Sequence, residues 1–285
     1  MARAEAVEAK SSYEHIQVSA RTGALGASVT GVDLSGGLED AVFAEIARAF
    51  DENLVLVFPD QDIGPGDHVA FTERFGPVEA HPLGSRKGLD DYPAVMVLEN
   101  RPGKLGPRND FWHSDISFSE TPPLGSILYA IEITEGRSDT MFCNMYAAYE
   151  GLSEGLKRTL DGMAALHSAE KLVREVPNRL SVDVAPPAVE HPVVRTHPST
   201  GRKALYVNPH YTLSFAGWTE EESRPLLDYL AAQATRPENV YRHRWSVGDL
   251  LMWDNRCTMH YALRDYDDSM PRYMHRTTAL GDRPY

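Results

Sequence analysis

A mainly β fold with flanking helices, arranged as a jelly roll, is what this chain predicts, and three observations carry the prediction. Short runs of β-branched and aromatic residues recur along its whole length, separated by turns drawn from 21 Gly and 19 Pro. A few stretches show the 3.6-residue period of an amphipathic helix, and they fall between strands. His113, Asp115 and a distant His260 make up a donor set of the kind that the interior of a jelly roll commonly houses.

In chain order, residues 13–18 and 27–32 read as strands. Residues 38–52 read as a helix, with Val42, Phe43, Ile46, Ala49 and Phe50 at helical spacing. Residues 53–58 form a continuous apolar run stopped by Pro59-Asp60, as expected of a strand covered on both faces. Pro65-Gly66-Asp67 opens a second helix that ends at Gly76-Pro77. Strands follow at 94–98, 127–133 and 140–144, then a helix over 147–160 with Gly162 just beyond it. Residues 171–191, rich in Pro, Val and charge, read as a long loop over a site. Strands return at 193–197 and 204–207. Thr219, followed three residues later by Glu222, is a capping box for a helix over 219–234. Strands at 240–245 and 249–253 precede a turn at Asp254-Asn255, a short extended piece around His260, and a last strand containing Arg272 and Arg276.

With 285 residues, 42% of them hydrophobic, the chain is expected to form one domain over 13–285, with residues 1–12 a flexible terminus. A formal charge of -13 argues against nucleic acid or an anionic membrane as a partner, since both reward basic patches. Cys143 and Cys257 are too few for a disulfide framework, which makes a reducing cytoplasm the expected location. No stretch approaches a membrane span, and the start lacks the apolar core of a signal peptide. Apolar helices outside the sheet leave room for a homo-oligomer.

His113-Ser114-Asp115 is the most informative motif. In an extended segment His113 and Asp115 point the same way, so one imidazole nitrogen and one carboxylate oxygen can face a single ion. His260 supplies a third donor, and two imidazoles with one carboxylate are the facial set of non-haem Fe(II) oxygenases. Arg272 and Arg276, four apart on a strand, project from one face, and two inward guanidinium groups call for anions opposite them. His191, His197, His210 and His243 fall at strand ends and turns and read as structural residues. Trp112, Phe118 and Trp253 read as core or pocket wall.

Several stretches together resemble the Fe(II)- and 2-oxoglutarate-dependent dioxygenases of the taurine dioxygenase family. They are Trp112-His113-Ser114-Asp115, Thr121-Pro122-Pro123-Leu124-Gly125, Asp139-Thr140, His191-Pro192, Trp253-Asp254-Asn255-Arg256 through His260, and Met274-His275-Arg276-Thr277. The resemblance runs from about residue 14 to the end. It implies a double-stranded β-helix in which His113, Asp115 and His260 ligate Fe(II), with Thr140 and Arg272 holding the far carboxylate of 2-oxoglutarate. It also implies O2-dependent hydroxylation coupled to release of succinate and CO2.

For the substrate, the resemblance places His81, Asn109 and Arg276 around a small organic anion. An alkylsulfonate such as taurine, cleaved to sulfite and an aldehyde, is the leading expectation; alkyl sulfate esters, aryloxyalkanoates and other carboxylates are the alternatives. The chain departs from taurine dioxygenase in having Gly84 for a substrate-contacting tyrosine and Arg137-Ser138 for a Gly-Gly pair. Two readings of a different class are a metal-dependent hydrolase and a jelly-roll binder without turnover. Arg272 with Thr140 speaks against the hydrolase, which has no use for a cosubstrate clamp, and the intact ligand set speaks against the binder.

Overall fold

The structure, a computed structural model, describes residues 13–78, 88–103, 109–175 and 184–285. The chain begins with β1 (Gln17–Ala20) and β2 (Ala27–Thr30), then α1 (Asp40–Asn53), β3 (Val55–Phe58), α2 (Pro65–Glu73), β4 (Met96–Asn100), β5 (Gly125–Ile133) and β6 (Thr140–Asn144). It continues through α3 (Met145–Glu150), α4 (Glu154–Leu160), β7 (Ala164–His167), α5 (Glu170–Glu175), β8 (Val189–Pro192), β9 (Val194–Thr196), β10 (Lys203–Leu205) and β11 (Thr212–Phe215). It closes with α6 (Glu220–Ala234), β12 (Val240–His243), β13 (Leu250–Asp254), β14 (Thr258–Ala262) and β15 (Arg272–Ala279).

A large sheet in the order β1-β2-β3-β13-β5-β15-β4 faces a small sheet in the order β12-β6-β14, the two layers of a jelly roll. The inner strands of the large sheet are covered on both sides, and strict alternation achieves it. Val55, Val57, Leu128, Ala130, Leu251, Trp253 and Met274 share a core with Phe142 of the small sheet, and Phe142 lies 5.6 Å from the Trp253 ring. Leu56, Phe58, Ile127, Tyr129, Leu250 and Met252 point the other way, onto Ile46, Ala49 and Phe50 of α1 and Phe71 of α2. The apolar run ending at Phe58 is therefore buried on both faces, as its composition demands.

Leu54 links α1 to β3 in a left-handed conformation at φ 65, where glycine is the usual residue. Its N–H caps the helix on the Phe50 carbonyl, its carbonyl accepts from Asp254 N–H at 2.9 Å, and its side chain is buried, which offsets a backbone cost of about 1–2 kcal/mol. The expected capping box on α6 is present, with Thr219 accepting from Glu222 N–H and Glu222 accepting from Thr219 N–H.

Three expectations need correcting. The helix expected over 147–160 is two helices, because Asn144 and Ser153 each cap a new start, accepting from Ala147 and Leu156 N–H. The loop expected over 171–191 is partly structured: α5 occupies its beginning and β8 its end, and residues 176–183 lie outside the described residues. The strands β7 and β11 were not anticipated; they pair with each other, and β7 also pairs with β8, beside the main sheets. Among the described residues, no helix is long and apolar enough to cross a membrane. Both cysteines are buried and unpaired.

Candidate metal centre

The backbone brings His113 and His260 together. His113 N–H donates to the His260 carbonyl at 3.1 Å and His260 N–H to the His113 carbonyl at 2.8 Å, an isolated antiparallel bridge that ties His113 to β14. Reciprocal pairing of this kind sets two side chains next to each other on one face, and the imidazole centroids lie 4.1 Å apart. Asp115 arrives by a different route from the one its spacing predicts. Extended geometry stops at the bridge, and a turn begins at Asp115 with Ile116 at φ 51. The turn places Asp115 Oδ1 3.7 Å from His113 Nε2 and 3.8 Å from His260 Nε2.

His113 Nδ1 lies 2.9 Å from the Phe111 carbonyl, which can only accept, so Nδ1 carries the proton and Nε2 offers a lone pair. Burial lowers the His113 imidazole below its ordinary range despite the pull of Asp115, and lowers His260 well below it, aided next by His113. Burial alone would raise Asp115. Arg276 first, then the two histidines and Ser126, outweigh it and hold the carboxyl well below the usual carboxylate range. At neutral pH the three groups are two neutral imidazoles and one carboxylate, all buried, with donor atoms within 4.8 Å of one another. A lone pair facing an anionic oxygen with no proton between them is repulsive, and a cation between them removes the conflict. The donor set suits a divalent ion of the Fe(II) type.

The other oxygen of Asp115 is committed. Arg276 Nη2 lies 2.6 Å from Oδ2, and the Ser126 hydroxyl donates to Oδ2 at 2.8 Å. Ser126 Oγ in turn accepts from Arg276 Nη2 at 2.9 Å and from Asn255 Nδ2 at 3.1 Å. Asn255 Oδ1 accepts from Trp253 Nε1 at 3.0 Å and from Asp115 N–H at 3.3 Å. Oδ1 is thus left to face the histidines as a single ligand atom. Neither Ser126 nor the side chain of Asn255 had an expected role. The available signal was a small hydroxyl in an otherwise apolar buried strand, where a polar group must find partners.

A cleft adjoins the triad. His260, Asn109 and Arg276 line it, as do Thr140 and Arg272 further along. Thr140 Oγ accepts from Trp245 Nε1 at 3.0 Å. Among the described residues, the buried Nε of Arg272 has no hydrogen-bond partner; burial lowers its pKa, opposed by Tyr266. Arg264 and Tyr266, absent from the sequence reading, also line the cleft. His81 lies outside the described residues.

A second convergence of donors, His197, Asp254 and Cys257, has different chemistry. Arg256 and His197 occupy both oxygens of Asp254, at 2.6–3.0 Å. Thr200 N–H donates to His197 Nδ1, so His197 Nε2 is a donor, and burial pushes the Cys257 thiol far up. This cluster locks structure and offers no lone pairs. His243 is likewise bound to Asp249 and Tyr241, and His191 to the Ser119 carbonyl. His210 differs: it is buried and stacked on Phe111 at 3.6 Å, both its nitrogens lack a partner among the described residues, and its ring centroid lies 6.4 Å from that of His113.

Comparison with known proteins agrees with this geometry. The family described as taurine catabolism dioxygenase TauD, TfdA matches residues 17–278. An alpha-ketoglutarate-dependent 2,4-dichlorophenoxyacetate dioxygenase of Cupriavidus pinatubonensis is 37% identical over 273 residues, 90% of this chain and 94% of the relative. An alkylsulfatase of Acinetobacter baylyi is 34% identical, with 94% of this chain and 86% of the relative covered. The crystal structure of a taurine dioxygenase from Burkholderia xenovorans is similar with a TM-score of 0.81 and 35% identity, covering 95% of this chain and 91% of that one.

Proposed function

The chain belongs to the TauD/TfdA family of alpha-ketoglutarate-dependent dioxygenases, and from that premise we propose that it hydroxylates a small organic anion at a carbon bearing a heteroatom leaving group. The observation that carries the reading is the adjacency of the His113, Asp115 and His260 donors to a cleft lined by buried guanidinium groups. Fe(II) held by the three donors, with 2-oxoglutarate, supplies the oxidation that puts one atom of O2 into the substrate and the other into succinate, with CO2 released.

The chain's own residues bind, orient and exclude water. Because the Thr140 oxygen accepts from Trp245, its O–H is free to donate to an anion in the cleft, beside the planar fork of Arg272. Leu98, Leu128 and Trp253 form an apolar wall that keeps solvent from the reacting atoms. Asn109 and Arg276 at the triad end, with His81, are the proposed contacts to the prime substrate. Arg276 retains a buried Nε without a partner after binding Asp115, and the free nitrogens of His210 offer a further donor beside His113.

Two members of the substrate class have separate support. The alkylsulfonate reading rests on His81-Pro82, Asn109 and Arg276 and on the likeness to a taurine dioxygenase structure. The aryloxyalkanoate reading rests on the 37% identical relative and on Gly84 in place of a tyrosine. In either case the hydroxylated carbon also carries the leaving group. The new hydroxyl loses its proton, the bond to the heteroatom breaks with its electron pair, and a carbonyl compound leaves with sulfite or a phenol. Anaerobic titration with Fe(II) and 2-oxoglutarate tests the site first: a visible absorption band lost in His113→Ala is expected, and no band in the parent protein rejects the reading. Taurine, a long-chain alkyl sulfate and 2,4-dichlorophenoxyacetate, scored by succinate with sulfite, sulfate or phenol, then separate the substrates. Succinate formation with none of them, under conditions where the band forms, rejects the substrate class.

A further inference from the structure

We propose that Arg264 is a second anchor for the distal carboxylate of 2-oxoglutarate and that, with Arg272, it sets a strong preference for a keto acid with an anionic far end. This rests on the reading of the site given above.

The cleft has two ends, and the strands define them. β14 presents His260 and then Ala262 to the cleft, and Arg264 is the next residue in that alternation, just past the strand end. β15 presents Arg276 beside Asp115 and, four residues earlier, Arg272. Four residues of strand is about 13 Å, so on both sides of the cleft an arginine stands well outside the metal end, with a long side chain to reach back. Ala262 is registered against Thr140, which puts the Thr140 hydroxyl at the same outer end.

The charges at the two ends are balanced differently. Arg276 has the Asp115 carboxylate at 2.6 Å. Among the described residues, neither Arg264 nor Arg272 has an ion pair, and Nη1 of Arg264 and Nε of Arg272 are buried without a partner. Of the acidic side chains nearest in sequence, Asp265 accepts from Ser138 N–H at 2.7 Å, Asp267 from Ser269 N–H at 2.8 Å and Asp268 from Gly103 N–H at 2.9 Å, while Asp139, beside Thr140, pairs with Arg242 at 2.7 Å. Two cations lining one cleft with no counter-ion are costly and call for an anion between them. A carboxylate has two oxygens and about four acceptor directions, enough for a fork from Arg272, the Thr140 hydroxyl and a donor from Arg264. A keto acid with a methyl group at that end would leave both guanidinium groups unmatched.

The test is calorimetric titration of the Mn(II)-loaded protein with 2-oxoglutarate and with 2-oxopentanoate, which has the same chain length and no distal carboxylate. Arg264→Met, of similar length and without charge, is expected to weaken 2-oxoglutarate at least about tenfold while changing 2-oxopentanoate and Mn(II) affinity by less than about twofold. Arg264→Lys is expected to recover part of the loss. An unchanged 2-oxoglutarate affinity in Arg264→Met, equal losses for both keto acids, or a loss confined to the prime substrate overturns the assignment. Parent protein that binds Mn(II) but no 2-oxoglutarate overturns the reading of the whole site, a failure distinct from that of Arg264 alone.

Discussion

Ser126→Ala tests how the Asp115 carboxylate is held. The hydroxyl makes three hydrogen bonds in a fully buried place: one to Asp115 Oδ2 at 2.8 Å, one from Arg276 at 2.9 Å and one from Asn255 at 3.1 Å. Loss of a donor to a carboxylate costs roughly 1.5–3 kcal/mol, and leaving a buried amide donor unmatched costs roughly 1–3 kcal/mol more. Arg276 keeps Oδ2 as an acceptor, so its term is small. The metal-free variant is therefore expected to be about 2.5–6 kcal/mol less stable in urea unfolding. With Oδ2 held by one partner instead of two, Asp115 can rotate, and metal affinity is expected to fall by about 10–100-fold. Unfolding curves of metal-free protein and Co(II) titration followed by visible absorption measure the two effects. A stability change under about 0.5 kcal/mol together with unaltered Co(II) affinity refutes the reasoning.

Two further outcomes are expected. Arg276→Ala should weaken metal binding as well as raise the KM for the prime substrate, because its guanidinium is the nearest partner of Asp115 Oδ2; a KM effect with metal affinity intact would make the ion pair incidental. His68, buried against Tyr129, is lowered to about 3 by burial and then by His275. As pH falls below the ordinary value of 6.5 the unfolded chain takes up that proton and the folded chain does not, so stability drops down to about pH 3. Between pH 7 and 5 the share of this residue is about 2 kcal/mol, and His68→Leu should lose that much less stability over the interval in urea unfolding. Equal losses in parent and variant would contradict the assignment.

What was legible in the sequence followed from periodicity and from chemically unusual residues. Residues 140–144 and the capping box at Thr219 declare themselves locally, and alternation within each strand is enough to sort Leu56 from Val57 onto opposite faces. His113, Asp115 and His260 stand out because few roles require that set. The turn at Asp115 was not readable, since Ile116 is β-branched and its left-handed backbone runs against its own preference. Ser126 and Asn255 were silent for another reason: a hydroxyl or an amide takes its meaning from its partners, and those that tie these two to Asp115 and Arg276 lie 11 to 150 residues away. Arg264 continues the alternation of His260 and Ala262, but past the end of β14, where no apolar pattern marks its direction.

The bridge between His113 and His260 has a consequence for the order of events. Its two amide hydrogens are bonded to each other's carbonyls across 147 residues of chain, so neither can exchange with solvent unless the segment carrying His113 lifts off β14. The two imidazoles are positioned by peptide groups, and the ion is not required to gather them. Hydrogen exchange at these two amides should accordingly be slow before any ion arrives and should change little when one does. An ion entering such a site meets a socket already assembled, and the entropy of ordering the loop is spent during folding instead of during capture.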